Sequence, residues 1–106
     1  MARVVAIAAD LLLGSKVEAL LEAAGHEVTL APSLPEQLKD VDLLVADLDA
    51  EDPEKLVTVG IPILGYYSHV NVETKQAAEA AGINLVVPRS RMARELPDLA
   101  AKLLAT

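Results

Sequence analysis

Three aspartates, a Ser–His pair and two arginines hold most of the chemistry open to this chain: Asp10, Asp47, Asp49, Ser68, His69, Arg89 and Arg91. Grouped carboxylates are the ordinary ligands of a hard divalent cation such as Mg²⁺. A guanidinium is a planar fork of donors that fits a carboxylate or a phosphate. Arg89-Ser90-Arg91 opens a predicted helix, where backbone N–H groups favour anions and cations run against the helix dipole. Something anionic must therefore compensate the two arginines, either a bound phosphate or carboxylate or the chain's own Asp10 and Asp47. Ser68 beside His69 suggests a nucleophile with its base. Adjacent residues at a strand end point in opposite directions, however, and no third group orients them, so a cap or loop hydrogen bond is the expected use. Asp49 reads as a loop acid or a cap.

Several chemistries are excluded by what is missing. The first loop, Asp10-Leu11-Leu12-Leu13-Gly14-Ser15-Lys16, lacks the spaced glycines of a dinucleotide site or a P-loop. Its three leucines, in a chain without Trp or Phe, do not suit a flavin. His26 and His69 are far apart and there is no Cys, so no zinc constellation, disulfide or thiol nucleophile exists. No cofactor is expected. The net charge of −7 opposes generic nucleic-acid binding. Most of that charge sits between Glu36 and Glu54, with eight acids against Lys39 alone. The default meaning of such a stretch is a solvated acidic face.

Stepping along the chain, five alternations of strand-like and helix-like sequence place these residues. Arg3–Ala9 is a continuous apolar run, as a strand covered on both faces reads. Val17, Leu20, Leu21 and Ala24 share one helical face, stopped by Gly25. Glu27–Leu30 is a short strand. Ser33-Leu34-Pro35-Glu36 matches a capping box, which predicts a short helix to about Lys39. Val41–Leu48 is the third strand. Asp52-Pro53 caps a short helix ending by Gly60, and Ile61–Tyr67 is the fourth strand. Asn71 or His69 opens an Ala-rich helix through Ala81, stopped by Gly82, and Ile83–Val87 is the fifth strand. Pro97 predicts a break in the last helical stretch, with one turn near Arg91–Arg94 and the main helix from about Pro97. Tyr66 and Tyr67 must face opposite layers, and His26 reads as exposed and structural.

Strands alternating with helices through short connections specify a single three-layer α/β domain over residues 1–106, a (βα)5 unit with a parallel sheet. The flavodoxin-like strand order 2-1-3-4-5 is the expected topology. Ligands in such sheets bind beyond the carboxyl ends of the strands, here the loops after Ala9, Leu48, Tyr67 and Val87. Every residue named in the opening sentence falls on that edge.

Over nearly the whole chain the sequence resembles the receiver domains of bacterial response regulators. Asp42-Leu43-Leu44-Val45-Ala46-Asp47-Leu48 resembles their third-strand motif, which ends in the phosphoacceptor aspartate, here Asp47. Ile61-Pro62 and Tyr67-Ser68-His69 look like the opening and the hydroxyl-bearing close of their fourth strand. Asp10 lies where they carry an acidic pair for Mg²⁺, and Ala80-Ala81-Gly82 before the fifth strand is also similar. The departures bear on function. Leu11 replaces the second acid. Counting from Pro62 puts Tyr67 at the hydroxyl position, with Ser68 one step out of register. Pro88 or Arg89 stands where the family has an invariant lysine.

The resemblance thus implies a degenerate receiver in which Asp10 and Asp47 have an arginine partner, Arg89 or Arg91, in place of Mg²⁺. The expected function is a non-catalytic signalling or protein-interaction domain, cytoplasmic and self-associating, through the face made by helix 71–82, strand 83–87 and the C-terminal helix. Two alternatives stay open. One is a small-anion module using Arg89, Arg91, Ser68 and His69; the other is an Mg²⁺-dependent phosphoacceptor with Asp10 and Asp47 as ligands. An enzyme using Asp47 or His69 has the least support. No apolar run reaches membrane-spanning length, and the opening residues do not read as a cleavable signal peptide.

Overall fold

A computed structural model describes residues 2–68 and 70–105 of the chain. Five parallel strands form one sheet: β1 Arg3–Ile7, β2 Glu27–Ala31, β3 Leu43–Asp47, β4 Ile63–Tyr67 and β5 Leu85–Pro88. Their spatial order is β2-β1-β3-β4-β5, the expected topology. The helices are α1 Leu11–Ala23, α2 Pro53–Leu56, α3 Val72–Ala81 and α4 Arg89–Leu104, with a 3-10 turn at Val57–Val59. None of the described helices is long and apolar enough to cross a membrane.

Alternation along the strands divides the core into two layers. Val4, Ala6, Leu43, Val45, Leu64, Tyr66 and Val87 face α1 and α4, where Val17, Leu21, Met92, Leu96, Leu99 and Leu103 meet them. Val5, Ile7, Leu44, Ala46, Ile63 and Tyr67 face the other way, against Leu56, Ala78 and Ile83. The central strands β3 and β4 are buried along their whole length, which is why they read as unbroken apolar runs. Tyr66 and Tyr67 do take opposite layers, and both are buried.

Two helix expectations are corrected. The stretch from Ser33 to Lys39 is irregular, so the second β–α unit has no helix. The Leu34 N–H reaches Glu51 Oε1 at 3.2 Å, which ties this segment to the loop after β3. Geometry supplies the reason. Residues 32–42 must return along the sheet, about 17 Å for a five-residue strand, and also pass β1 to reach β3. Wound as a helix throughout they would span about the same length and leave no residues for the passage across β1. Asp40, with φ 58°, then turns the chain, and Asp42 ties it to β1 by accepting the Arg3 N–H at 2.9 Å.

The second correction concerns Pro97, which lies inside an unbroken α4. A proline within a helix costs about 3 kcal/mol. Met92, Leu96, Leu99 and Leu103 are all buried by that helix, and each such side chain is worth about 1.5–3 kcal/mol. Packing therefore outweighs the lost hydrogen bond. His26 is also half-buried rather than exposed, with its Nδ1 accepting the Ala2 N–H at 3.2 Å.

Candidate functional site

The carboxyl ends of β1, β3, β4 and β5 form one edge, and β3 delivers Asp47 to its centre. Leu43, Val45 and Asp47 alternate onto the α1/α4 side, and Asp47 is in register with Tyr66 of β4. Its side chain is only 4% exposed. A carboxylate so far from water requires charged or hydrogen-bonding partners. Asp47 Oδ2 lies 3.2 Å from Arg89 Nη2, and Oδ1 accepts the Asp49 N–H at 2.9 Å. Arg89 is the first residue of α4, placed there by Pro88 ending β5. Its Nε is buried without a hydrogen-bond partner.

Asp49, expected as a loop acid or a cap, is instead the hub of the edge. Besides closing the Asx turn onto Asp47, it lies 3.8 Å from Arg89 Nη2. Its Oδ2 accepts the Ser68 N–H at 2.8 Å, and its Oδ1 accepts Asn71 Nδ2 at 2.9 Å. Asn71 stands at the N-cap of α3 but makes no side-chain cap bond to its own helix. An N-cap bond is worth about 1 kcal/mol, so its diversion to Asp49 is a tertiary preference overriding a local one. The Asp-x-Asp spacing was the available sequence signal for the turn, whereas the contact between Asp49 and Asn71 left none.

Asp10 does not share an ion pair with these groups among the described residues. It is the N-cap of α1, where Oδ1 accepts the N–H groups of Leu12 at 2.9 Å and Leu13 at 3.3 Å. Arg91 lies 3.4 Å from Glu95 one turn along its own helix, away from the aspartates. Ser68 is present through its backbone N–H, and His69 lies outside the described residues. Beneath the site, burial pushes the Tyr66 phenol well above its ordinary range, and the negative charge of Asp47 pushes the same way. Arg89 opposes that shift, and Asp10 and Asp49 add to it.

Mg²⁺ is the ion this fold implies, and Asp10 and Asp47 are the carboxylates that would have to hold it. No three His, Asp or Glu side chains among the described residues converge to hold a metal. Asp47 and Asp49 instead share the fixed cation of Arg89. The rim of the edge is apolar: Leu11, Leu12, Val70 and Val72 are the exposed large hydrophobic residues among those described.

The strand order and the helices on both faces of the sheet are those of the response-regulator receiver fold. A receiver domain from Clostridium thermocellum superposes with a TM-score of 0.82 at 17% identity, over 99% of this chain and 95% of that one. A response regulator from Thermotoga maritima gives 0.83 at 14%, covering 100% and 99%. An atypical orphan response regulator, described with a phosphorylation-independent regulatory mechanism, gives 0.81 at 18%, covering 97% and 95%. No protein-family model and no curated protein matches the sequence.

Proposed function

We propose that this chain is a receiver-like signalling domain that acts through protein contacts without accepting a phosphoryl group. One observation carries the reading: the buried Asp47 carboxylate has Arg89 at 3.2 Å, in the region where a receiver needs a divalent ion and a point-charge lysine. The planar guanidinium is not a free replacement for either. Asp10 is engaged as a helix cap, and Asp49 is engaged with Arg89, Ser68 and Asn71. The atypical orphan regulator offers a structural parallel for a receiver fold at work without phosphorylation. Exposed Leu11, Leu12, Val70 and Val72 support a role in protein contact, since apolar surface of this kind is what partners cover.

The test is incubation with a small phosphodonor and Mg²⁺, read by intact mass. The expected result is no gain of about 80 Da, the mass of one phosphoryl group. Stoichiometric, acid-labile modification of Asp47 would overturn the reading. Self-association through α3, β5 and α4 completes the proposal. The small-anion alternative has weaker support, because Arg89, Arg91 and the Ser68 N–H all face carboxylates of the chain itself.

A further inference from the structure

β2 is an end strand of the sheet, in register with β1 along its whole length, and among the described residues no strand pairs with its other side. The Glu27 N–H bonds the Ala2 carbonyl at 2.9 Å, and the Ala31 carbonyl accepts the Ala8 N–H at 3.1 Å. Alternate residues of a strand turn their backbone groups to opposite sides, so the N–H and C=O of Val28 and Leu30 point away from the sheet. The open edge ends there: His26 donates its N–H to the Leu21 carbonyl at 3.0 Å, and Pro32 has none to give. Over Val28–Leu30 the strand carries no Lys, Pro or bulge of the kind that blunts an edge. The face that bears Thr29 is open as well. Residues 33–39 are irregular, and Thr29 is exposed, lining a groove of about 160 Å³ with Arg3, Glu27 and Lys39.

Unpaired donors and acceptors two residues apart need a strand with the same spacing, and β2 itself supplies it. Turned about a two-fold axis at Thr29, a second β2 lies antiparallel, with Val28 opposite Leu30 of the other copy. Each such pair exchanges two N–H···O bonds, so both donors and both acceptors of each copy are satisfied. Thr29 then meets Thr29 of the other copy in the close, non-hydrogen-bonded position, a favourable cross-strand pair. Glu27 falls opposite Ala31, not opposite its own kind. The two Glu27 residues lie about 14 Å apart along the strands. That exceeds the screening length of about 8 Å at physiological salt. Each Glu27 is also held by its own Arg3 at 3.3 Å, so the acidic chain meets little local repulsion here. We infer that β2 pairs with β2 of a second copy, joining the two sheets into one. This contact lies at the sheet edge opposite β5 and is separate from the one proposed through α3, β5 and α4.

The test uses the full chain carrying Ala80→Glu, a charge on the exposed side of α3 that weakens the other contact. Backbone amides are followed from micromolar to millimolar protein. The Val28 and Leu30 resonances should move with concentration, and their exchange with solvent should slow at least about tenfold. Thr29→Glu and Thr29→Lys, at an exposed position, should each weaken association about tenfold by setting like charges opposite one another. An equimolar mixture of the two should restore it, because Glu then faces Lys. Lost packing or lost strand propensity gives no such recovery. Val28 and Leu30 amides unaltered at millimolar protein, or a mixture that associates no better than either variant alone, would each overturn the inference. Amide changes confined to α3, β5 and α4 would support the other contact and overturn this one. If a Thr29 variant does not fold, the amide map of the chain with Thr29 intact decides.

Discussion

Arg89 and Asp49 convert an acidic strand end into a cross-linked one, with one guanidinium shared between two carboxylates. Removing one partner of a well-buried ion pair costs about 3–5 kcal/mol. Arg89 is 40% exposed, so solvent recovers part of that, and Arg89→Ala is expected to cost about 2 kcal/mol in urea unfolding. Asp49→Asn keeps the shape but loses the anionic acceptor for the Ser68 N–H. Faster amide exchange at Ser68, with a loss of about 1–2 kcal/mol, is the expected outcome. Unchanged exchange would show that Asp49 does not hold the loop before α3. Tyr66 gives the pH dependence. Its folded pKa is raised above the unfolded value near 10, so the stabilisation is complete below about pH 10 and is lost as pH rises beyond it. Tyr66→Phe should remove that alkaline loss, as measured by denaturation at a series of pH values. If both proteins weaken in parallel, Tyr66 is not the group responsible.

At the scale of elements, close packing decides where local preference fails. A Cβ on Gly65 of β4 would lie 2.6 Å from Leu48 Cδ1 and 2.8 Å from its Cγ. Gly65→Ala is therefore expected to destabilise by about 1–3 kcal/mol, because Leu48 must leave the cover it forms over the strand. Pro97→Ala tests the opposite case. Restoring an N–H inside α4 should stabilise by about 2 kcal/mol, less than the full proline penalty because proline also restricts the unfolded chain. A variant no more stable than the parent would show that Pro97 carries no net cost in α4.

For the whole molecule, the acids from Glu36 to Glu54 and the arginines of α4 separate charge along the chain, which bears on association more than on fold stability. Self-association through α3, β5 and α4 is expected to appear as concentration-dependent sedimentation. Ala80→Glu, on the exposed side of α3, should weaken it about tenfold or more by placing a charge in the contact. A parent chain that stays monomeric at every accessible concentration would refute that part of the proposal. The strand order and both core layers were legible in the sequence, because strands covered on both faces must be apolar throughout and helices between parallel strands must show one apolar stripe. Ser33-Leu34-Pro35-Glu36 misled because a capping box registers only its own residues, not the distance from β2 to β3.

What the sequence determined alone was the alternation of elements and the edge where Asp10, Asp47, Asp49 and Arg89 gather, since both follow from short-range pattern and parallel topology. Tertiary structure decided which of them meet. Arg89 reaches Asp47 and Asp49, Asp10 turns to its own helix, and Arg91 to Glu95. Pairing among charges depends on distances of a few ångströms between residues some forty positions apart. Spacing along a chain does not encode such distances until the sheet has closed.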